Sequence, residues 1–172
     1  MSSAPVPTGN AFGRPALTWR APVLAVVVGA VLAAWPYSEA IAVAAFGGLA
    51  LALVVVDYLL APRPGRFGIE RVMSPVVELD HELEISWRVT NPGGRTVRVA
   101  FSDELAPSLR PAARGAAVEV GPKGAVTATA TLLPSRRGRF APSRLVVRVE
   151  GPMRLAARQS RRELPGLLKV YP

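Results

Sequence analysis

The chain has no cysteine and a single histidine, His81, among its 172 residues. Those absences exclude disulfide frameworks, thiolate zinc sites, cysteine nucleophiles and multi-histidine metal centres. Lysine is nearly missing as well, since only Lys123 and Lys169 among the 21 basic residues are not arginine. Aromatic residues make up 6% of the chain, few for a surface that must stack on bases. The most telling absence is local: no base occurs between Ala21 and Ala61.

What fills the sequence is apolar, with 50% hydrophobic residues and a mean hydropathy of +0.28. That composition excludes a disordered basic tail. The net charge of +9 divides unevenly: residues 1–20 carry Arg14 and Arg20, residues 21–62 carry only Glu39 and Asp57, and residues 63–172 carry 19 bases against 10 acids. These blocks are three different materials. Residues 1–18 read as a flexible N-terminus, 19–61 as a two-helix transmembrane hairpin, 62–66 as a stiff Pro/Arg linker and 67–172 as a β-sandwich domain.

Trp19 to Trp35 supplies 17 residues and Ala40 to Leu60 supplies 21, against roughly 20 apolar residues for a ~30 Å hydrocarbon core. Neither stretch has a polar stripe, and Pro36-Tyr37-Ser38-Glu39 between them is a turn signal. Trp19, Trp35, Tyr37 and Tyr58 fall at the expected ends, where an amphipathic ring spans the acyl boundary and the water. Arg20 and Arg63 complete the set expected to seat the hairpin. A cleaved signal peptide is the competing reading of the first stretch, but it leaves the turn-length link unexplained. Arg14 and Arg20 flank one end, Arg63, Arg66 and Arg71 flank the other, and the link carries no base. The positive-inside rule then puts both termini in the cytoplasm of a two-pass inner-membrane protein. Asp57 lies near the cytoplasmic end of the second stretch, where reaching the interface or pairing with Arg63 explains it better than a proton or ion role.

Beyond the linker the periodicity switches to two. Leu83, Ile85, Trp87 and Val89 alternate with polar residues through Thr90; Asn91-Pro92-Gly93-Gly94 turns the chain, and Val97, Val99 and Phe101 resume the inward face, which predicts a hairpin. Ala117 to Val120, Val126 to Leu132 and the alternating Leu145, Val147 and Val149 repeat the pattern. Met153 to Ala157, Phe67 to Met73 and Val76 to Leu79 bring the total to about seven or eight strands with no amphipathic helix. The fold class is a membrane α-hairpin followed by an antiparallel, immunoglobulin-like β-sandwich, with Trp87 as its central aromatic.

Catalytic motifs are missing: no phosphate-binding loop, dinucleotide fingerprint or His-Glu-x-x-His occurs. His81 between Asp80 and Glu82 reads as a solvated turn residue. Asp103-Glu104 cannot act as an acid pair, because neighbours on a strand point to opposite faces. No nucleophile and base are paired, so the chain reads as a non-enzyme without cofactor or metal. Residues 136–172 hold ten bases and two acids, and Arg136, Arg137 and Arg139 form the candidate contact patch for acidic headgroups or an acidic partner. Compositional bias toward arginine explains much of the remainder, and with Phe140 alone beside the bases, nucleic acid is disfavoured.

The order of parts is also familiar. Ile69-Glu70-Arg71 after the linker, Trp87-Arg88-Val89-Thr90-Asn91-Pro92, Arg137-Gly138-Arg139-Phe140, Leu145-Val146-Val147-Arg148, Glu150-Gly151-Pro152-Met153-Arg154-Leu155 and Lys169-Val170-Tyr171-Pro172 together resemble the N-terminal half of the bacterial family called domain of unknown function 58. The resemblance covers about residues 15–172. It implies a membrane-anchored β-sandwich preceding a von Willebrand factor A-like domain, and association with MoxR-type AAA ATPases and sometimes transglutaminase-like membrane proteins. No Asp-x-Ser-x-Ser metal-adhesion motif occurs in these residues. The chain is then expected to be a fragment, a truncated product or a stand-alone anchor and adaptor. The function so read is a membrane-anchored non-catalytic binding or scaffolding module, expected as part of an ATPase-linked assembly or chaperone system. Two alternatives stay open: an extracytoplasmic envelope or adhesion module, and a membrane-tethered nucleic-acid binder whose affinity collapses with salt.

Overall fold

A computed structural model of the chain describes residues 14–33 and 39–172. The alternation through Thr90 becomes strand β4 (Leu83–Thr90), whose Leu83, Ile85, Trp87 and Val89 are buried while Glu84, Arg88 and Thr90 are exposed. In chain order the elements are β1 (Arg14–Leu17), α1 (Arg20–Ala33), α2 (Glu39–Leu60), β2 (Gly68–Met73), β3 (Val76–Glu78), β4, β5 (Val97–Asp103), β6 (Gly115–Val120) and β7 (Ala125–Leu132). β8 (Gly138–Phe140), β9 (Arg144–Glu150), β10 (Ala156–Glu163) and β11 (Leu168–Tyr171) complete the chain.

Two layers result. One is a five-stranded sheet ordered β1-β10-β9-β5-β6; the other is made of two three-stranded sheets, β2-β4-β7 and β3-β11-β8. All pairs are antiparallel except β3 with β11. Val99 and Phe101 of β5, with Leu145, Val147 and Val149 of β9, share one core with Ile85, Trp87 and Val89 of β4 and Leu168 of β11. The Trp87 and Phe101 rings meet across the layers with centroids 5.4 Å apart. Trp87 is 1% exposed, which makes it the central aromatic that its place in the alternation predicts.

The expected hairpin between β4 and β5 does not form. β4 pairs with β2 and β7, whereas β5 pairs with β6 and β9 in the opposite layer. Asn91 is the reason. Buried at the end of β4, its Nδ2 donates to the carbonyls of Arg95, Val120 and Gly121 at 2.8, 3.1 and 2.9 Å, and its Oδ1 accepts from Gly93 N at 2.9 Å. Those bonds satisfy the backbone of a turn that leaves one sheet and enters the other, where no ladder partner is available.

A second polar anchor sits inside the core. Arg71 Nε and Nη2 donate to Asp103 Oδ2 and Oδ1 at 2.7 Å each, Arg71 Nη1 donates to the Pro142 carbonyl at 2.9 Å, and Trp87 Nε1 donates to Asp103 Oδ2 at 2.9 Å. The carboxylate thus ties β2, β4 and β5 across both layers, with every oxygen occupied, as a buried charge requires. Arg71 therefore belongs to the sandwich interior and is no membrane-flanking base. Glu104 beside it is exposed, so the neighbouring acids do face opposite ways.

Among the described residues one helix, α2, is long and apolar enough to cross a membrane. Its 22 residues span about 33 Å at 1.5 Å per residue. α1 is described over 14 residues, about 21 Å, which falls short of the hydrocarbon thickness. The expected pair of transmembrane helices thus reduces, in the described residues, to one of sufficient length beside a shorter apolar partner packed on it. Large apolar side chains point outward on both, including Val26 and Val27 of α1 and Ile41, Leu49, Leu51 and Leu59 of α2.

Candidate functional site at the junction of helix and sandwich

Strand β9 ends at Glu150, and the chain turns through Gly151–Leu155 into β10. This turn is where the helices meet the sandwich. Asp57, in the last turn of α2, is fully buried there. Its Oδ1 accepts from Met153 N at 2.7 Å, and its Oδ2 accepts from Leu155 N at 2.7 Å and Ala156 N at 2.8 Å. Three backbone donors that a turn would otherwise leave to water are satisfied by one carboxylate, with hydrogen bonds to a charged group worth roughly 1.5–3 kcal/mol each. Where the sequence leads to an expectation that Asp57 reaches the interface or pairs with Arg63, its two oxygens are taken up by the amides of this turn. A Cβ on Gly151 would lie 2.4 Å from Asp57 Oδ1 and 2.5 Å from the Asp57 carbonyl oxygen. Only glycine admits this approach.

The N-terminal side of the hairpin ends on the same turn. Thr18, buried between β1 and α1, donates its hydroxyl to the carbonyls of Arg154 and Leu155, and its N–H donates to Leu155 O at 3.1 Å. Its own carbonyl accepts from Ala21 N at 3.2 Å at the start of α1. Residues 14–17, expected within a flexible lead, instead form β1 on the edge of the five-stranded sheet, from Arg14 opposite Gln159 to Leu17 opposite Ala156. The start of α1 and the end of α2 are therefore fixed to one turn, side by side.

β10 completes the junction with arginine. Arg158, Ser160 and Arg162 lie opposite Val149, Val147 and Leu145 of β9, and directly opposed residues share a face. They therefore sit on the core side of the sheet, where the end of α2 covers Arg158 and the segment between α2 and β2 covers Arg162. Arg158 Nε donates to the Tyr58 carbonyl at 3.2 Å, and its guanidinium lies 4.7 Å from the centre of the Tyr58 ring. Arg162 Nη1 donates to Phe67 O at 2.6 Å, and its Nη2 donates to Pro64 O. Burial pulls the Arg162 guanidinium below its ordinary pKa. The α2 carbonyls that Arg158 meets are the negative end of the helix dipole, so the positive charge is well placed.

Of the residues expected to seat the hairpin, Trp19 and Arg20 stand at the start of α1 with the Arg20 guanidinium 5.7 Å from the Trp19 ring centre. Trp19 is exposed, Tyr58 is half-buried under Arg158, and Arg63 is exposed just beyond α2. Trp35 and Tyr37 lie outside the described residues. Arg136, Arg137 and Arg139 are all exposed on the approach to β8 and on β8 itself. Their position follows from register. β9 runs from Arg144 to the junction turn, and its seven residues cover about 20 Å. Phe140 precedes Arg144 by four residues, so the arginine patch lies at the end of the sandwich remote from α2. His81 is exposed at that same end, with Nδ1 3.2 Å from Leu79 O and 3.7 Å from Glu78 Oε2.

The four contributors that matter most at the junction, Asp57, Thr18, Arg158 and Arg162, were legible only as types. Arg158 and Arg162 alternate in the sequence as an exposed strand face does, and nothing in that spacing reveals that a backbone segment covers them. Gly151 carried a signal, since Gly-Pro after an alternating strand marks a turn.

The described residues define a β-sandwich with an apolar helical pair docked on one end. No family model matches the chain, and no curated protein matches it. Solved structures similar to it include the crystal structure of the CARDB domain of the PF1109 protein from Pyrococcus furiosus in complex with di-metal ions, at 17% identity and a TM-score of 0.40, covering 61% of this chain and 87% of that one. A solution NMR structure of the same CARDB domain matches at 18% identity and a TM-score of 0.40, covering 61% of this chain and 94% of that one. Among the described residues no three His, Cys, Asp or Glu side chains gather as metal ligands.

Proposed function

We propose that the chain is a membrane-anchored, non-catalytic binding or scaffolding module. α1 and α2 form a two-pass hairpin in the inner membrane, both ends lie in the cytoplasm, and the sandwich presents its remote end to a partner. The observation that carries this reading is the junction: an apolar helical pair with outward valines and leucines is bolted by Asp57 and Thr18 to a polar domain. Arg20 at the start of α1 and Arg63 and Arg66 just past α2 all lie at that end, which supports the cytoplasmic side under the positive-inside rule.

The partner surface is the remote loop with Arg136, Arg137 and Arg139. Projecting away from the helices, it suits an acidic protein in the cytoplasm better than the headgroups of the membrane that holds α2. The resemblance to the family called domain of unknown function 58 directs that search to a MoxR-type AAA ATPase. Arg139 on an edge strand also guards against edge-to-edge pairing, which is compatible with a contact role.

Topology is the test. Ala113 is exposed in the remote loop between β5 and β6, and the chain has no native cysteine. Ala113→Cys in intact cells should resist a membrane-impermeant maleimide and react once the membrane is opened. Labelling in intact cells overturns the cytoplasmic reading and moves the sandwich to the envelope.

A further inference from the structure

The end of the sandwich next to α2 carries its own basic surface, and its arginines fall into two sets. Arg98 and Arg154 are matched: Arg154 Nη2 donates to Glu119 Oε1 at 2.5 Å, and Arg98 Nε lies 3.9 Å from Glu150 Oε2. Arg66 and Arg95 are exposed and make no ion pair among the described residues. Both line one open cleft of about 530 Å³, together with Pro62, Pro92, Gly94 and Val97. No acid lines it.

Position gives the cleft its ligand. Pro62 lies two residues past the last residue of α2, so the cleft opens at the level where the apolar helix surface ends. Its floor is apolar and its rim cationic. The turn Asn91–Arg95 that forms one wall is held rigid by the Asn91 side chain, whose Nδ2 bonds the Arg95 carbonyl itself.

We propose that this cleft binds the phosphate headgroup of an anionic phospholipid of the bilayer that holds α2, with Arg66 and Arg95 on the phosphate. The site rests on the membrane-anchored reading. It separates two basic surfaces that the sequence merges: a lipid-facing one beside α2, and the remote Arg136–Arg139 loop for a protein. A paired arginine already has its counter-charge, whereas Arg66 and Arg95 gain one only when an external anion arrives.

The test uses the full chain reconstituted in phosphatidylcholine vesicles containing trace spin-labelled phosphatidylglycerol or spin-labelled phosphatidylcholine. Wild type should select phosphatidylglycerol, with salt weakening the preference. R66Q/R95Q should lose roughly fivefold in that preference per arginine removed, R66K/R95K should keep most of it, and R136Q/R137Q/R139Q should keep all of it. Both glutamine positions are exposed, and R95Q alone serves if the double variant does not fold. Equal association of the two lipids with wild type, or full selectivity in R66Q/R95Q, overturns the proposal while leaving the anchor intact. Failure of wild type to float with phosphatidylcholine vesicles overturns the anchored reading and the cleft with it. Loss of selectivity on adding free glycerol phosphate to wild type identifies a soluble ligand and overturns the lipid assignment.

Discussion

Among the described residues two carboxylates are almost fully buried, Asp57 and Asp103, and they do opposite jobs. Asp103 meets side chains, a bidentate Arg71 and the Trp87 indole, and closes the sandwich on itself. Asp57 meets only backbone N–H groups of the β9–β10 turn and closes the sandwich on a helix. One ion pair is internal to the sandwich; the other set of bonds joins the sandwich to an apolar helix. A buried acid is therefore no sign of chemistry by itself. Its partners decide whether it holds a core or a junction.

The largest effect should come from unbalancing the core pair. Asp103→Ala strands the Arg71 charge and should cost about 3–5 kcal/mol, seen as a fall in thermal unfolding temperature of the sandwich; replacing both partners by apolar residues should recover most of it. Asp57→Ala should leave that transition nearly in place and free the junction. Hydrogen exchange at the amides of Met153, Leu155 and Ala156 should then rise by about ten- to a hundredfold, as charged hydrogen bonds of this type are lost. If Asp57→Ala unfolds the sandwich as Asp103→Ala does, the distinction fails. Gly151→Ala should open the same amides by forcing Asp57 away, and the effects of Gly151→Ala and Asp57→Ala should not add, because they break one contact. The smallest effect on stability belongs to R136E/R137E/R139E, within about 0.5 kcal/mol for exposed positions, while binding of an acidic partner is lost. An unfolded triple variant would remove the loop from the list of contact surfaces.

The strands that face water on one side were readable. β4, β5 and β9 alternate cleanly because each has one apolar face, and their buried residues are those the period selects. Pairing was not readable, because Asn91 sends the chain across the core through side-chain bonds that leave no mark on hydrophobic periodicity. β10 escaped for a different reason. Its core-side positions are Arg158, Ser160 and Arg162 rather than apolar residues, and the two arginines meet backbone carbonyls at the end of α2 and beyond it, with the Tyr58 ring against Arg158. β1 is four residues long, too short to show a period, and exists because β10 offers it an edge. At the site, the charge of Asp57 and the arginines was visible, but the approach that only Gly151 permits belongs to three dimensions.

The junction leaves no hinge between helix and sandwich. Thr18, Asp57, Arg158 and Arg162 fasten both the entry and the exit of the hairpin within one turn and one strand. The molecule behaves as a lever: a 10° tilt of α2 swings the arginine loop, ~20 Å away along β9, through about 3 Å. Helix and sandwich turn as one piece, so a rotation at one end is read as a displacement at the other.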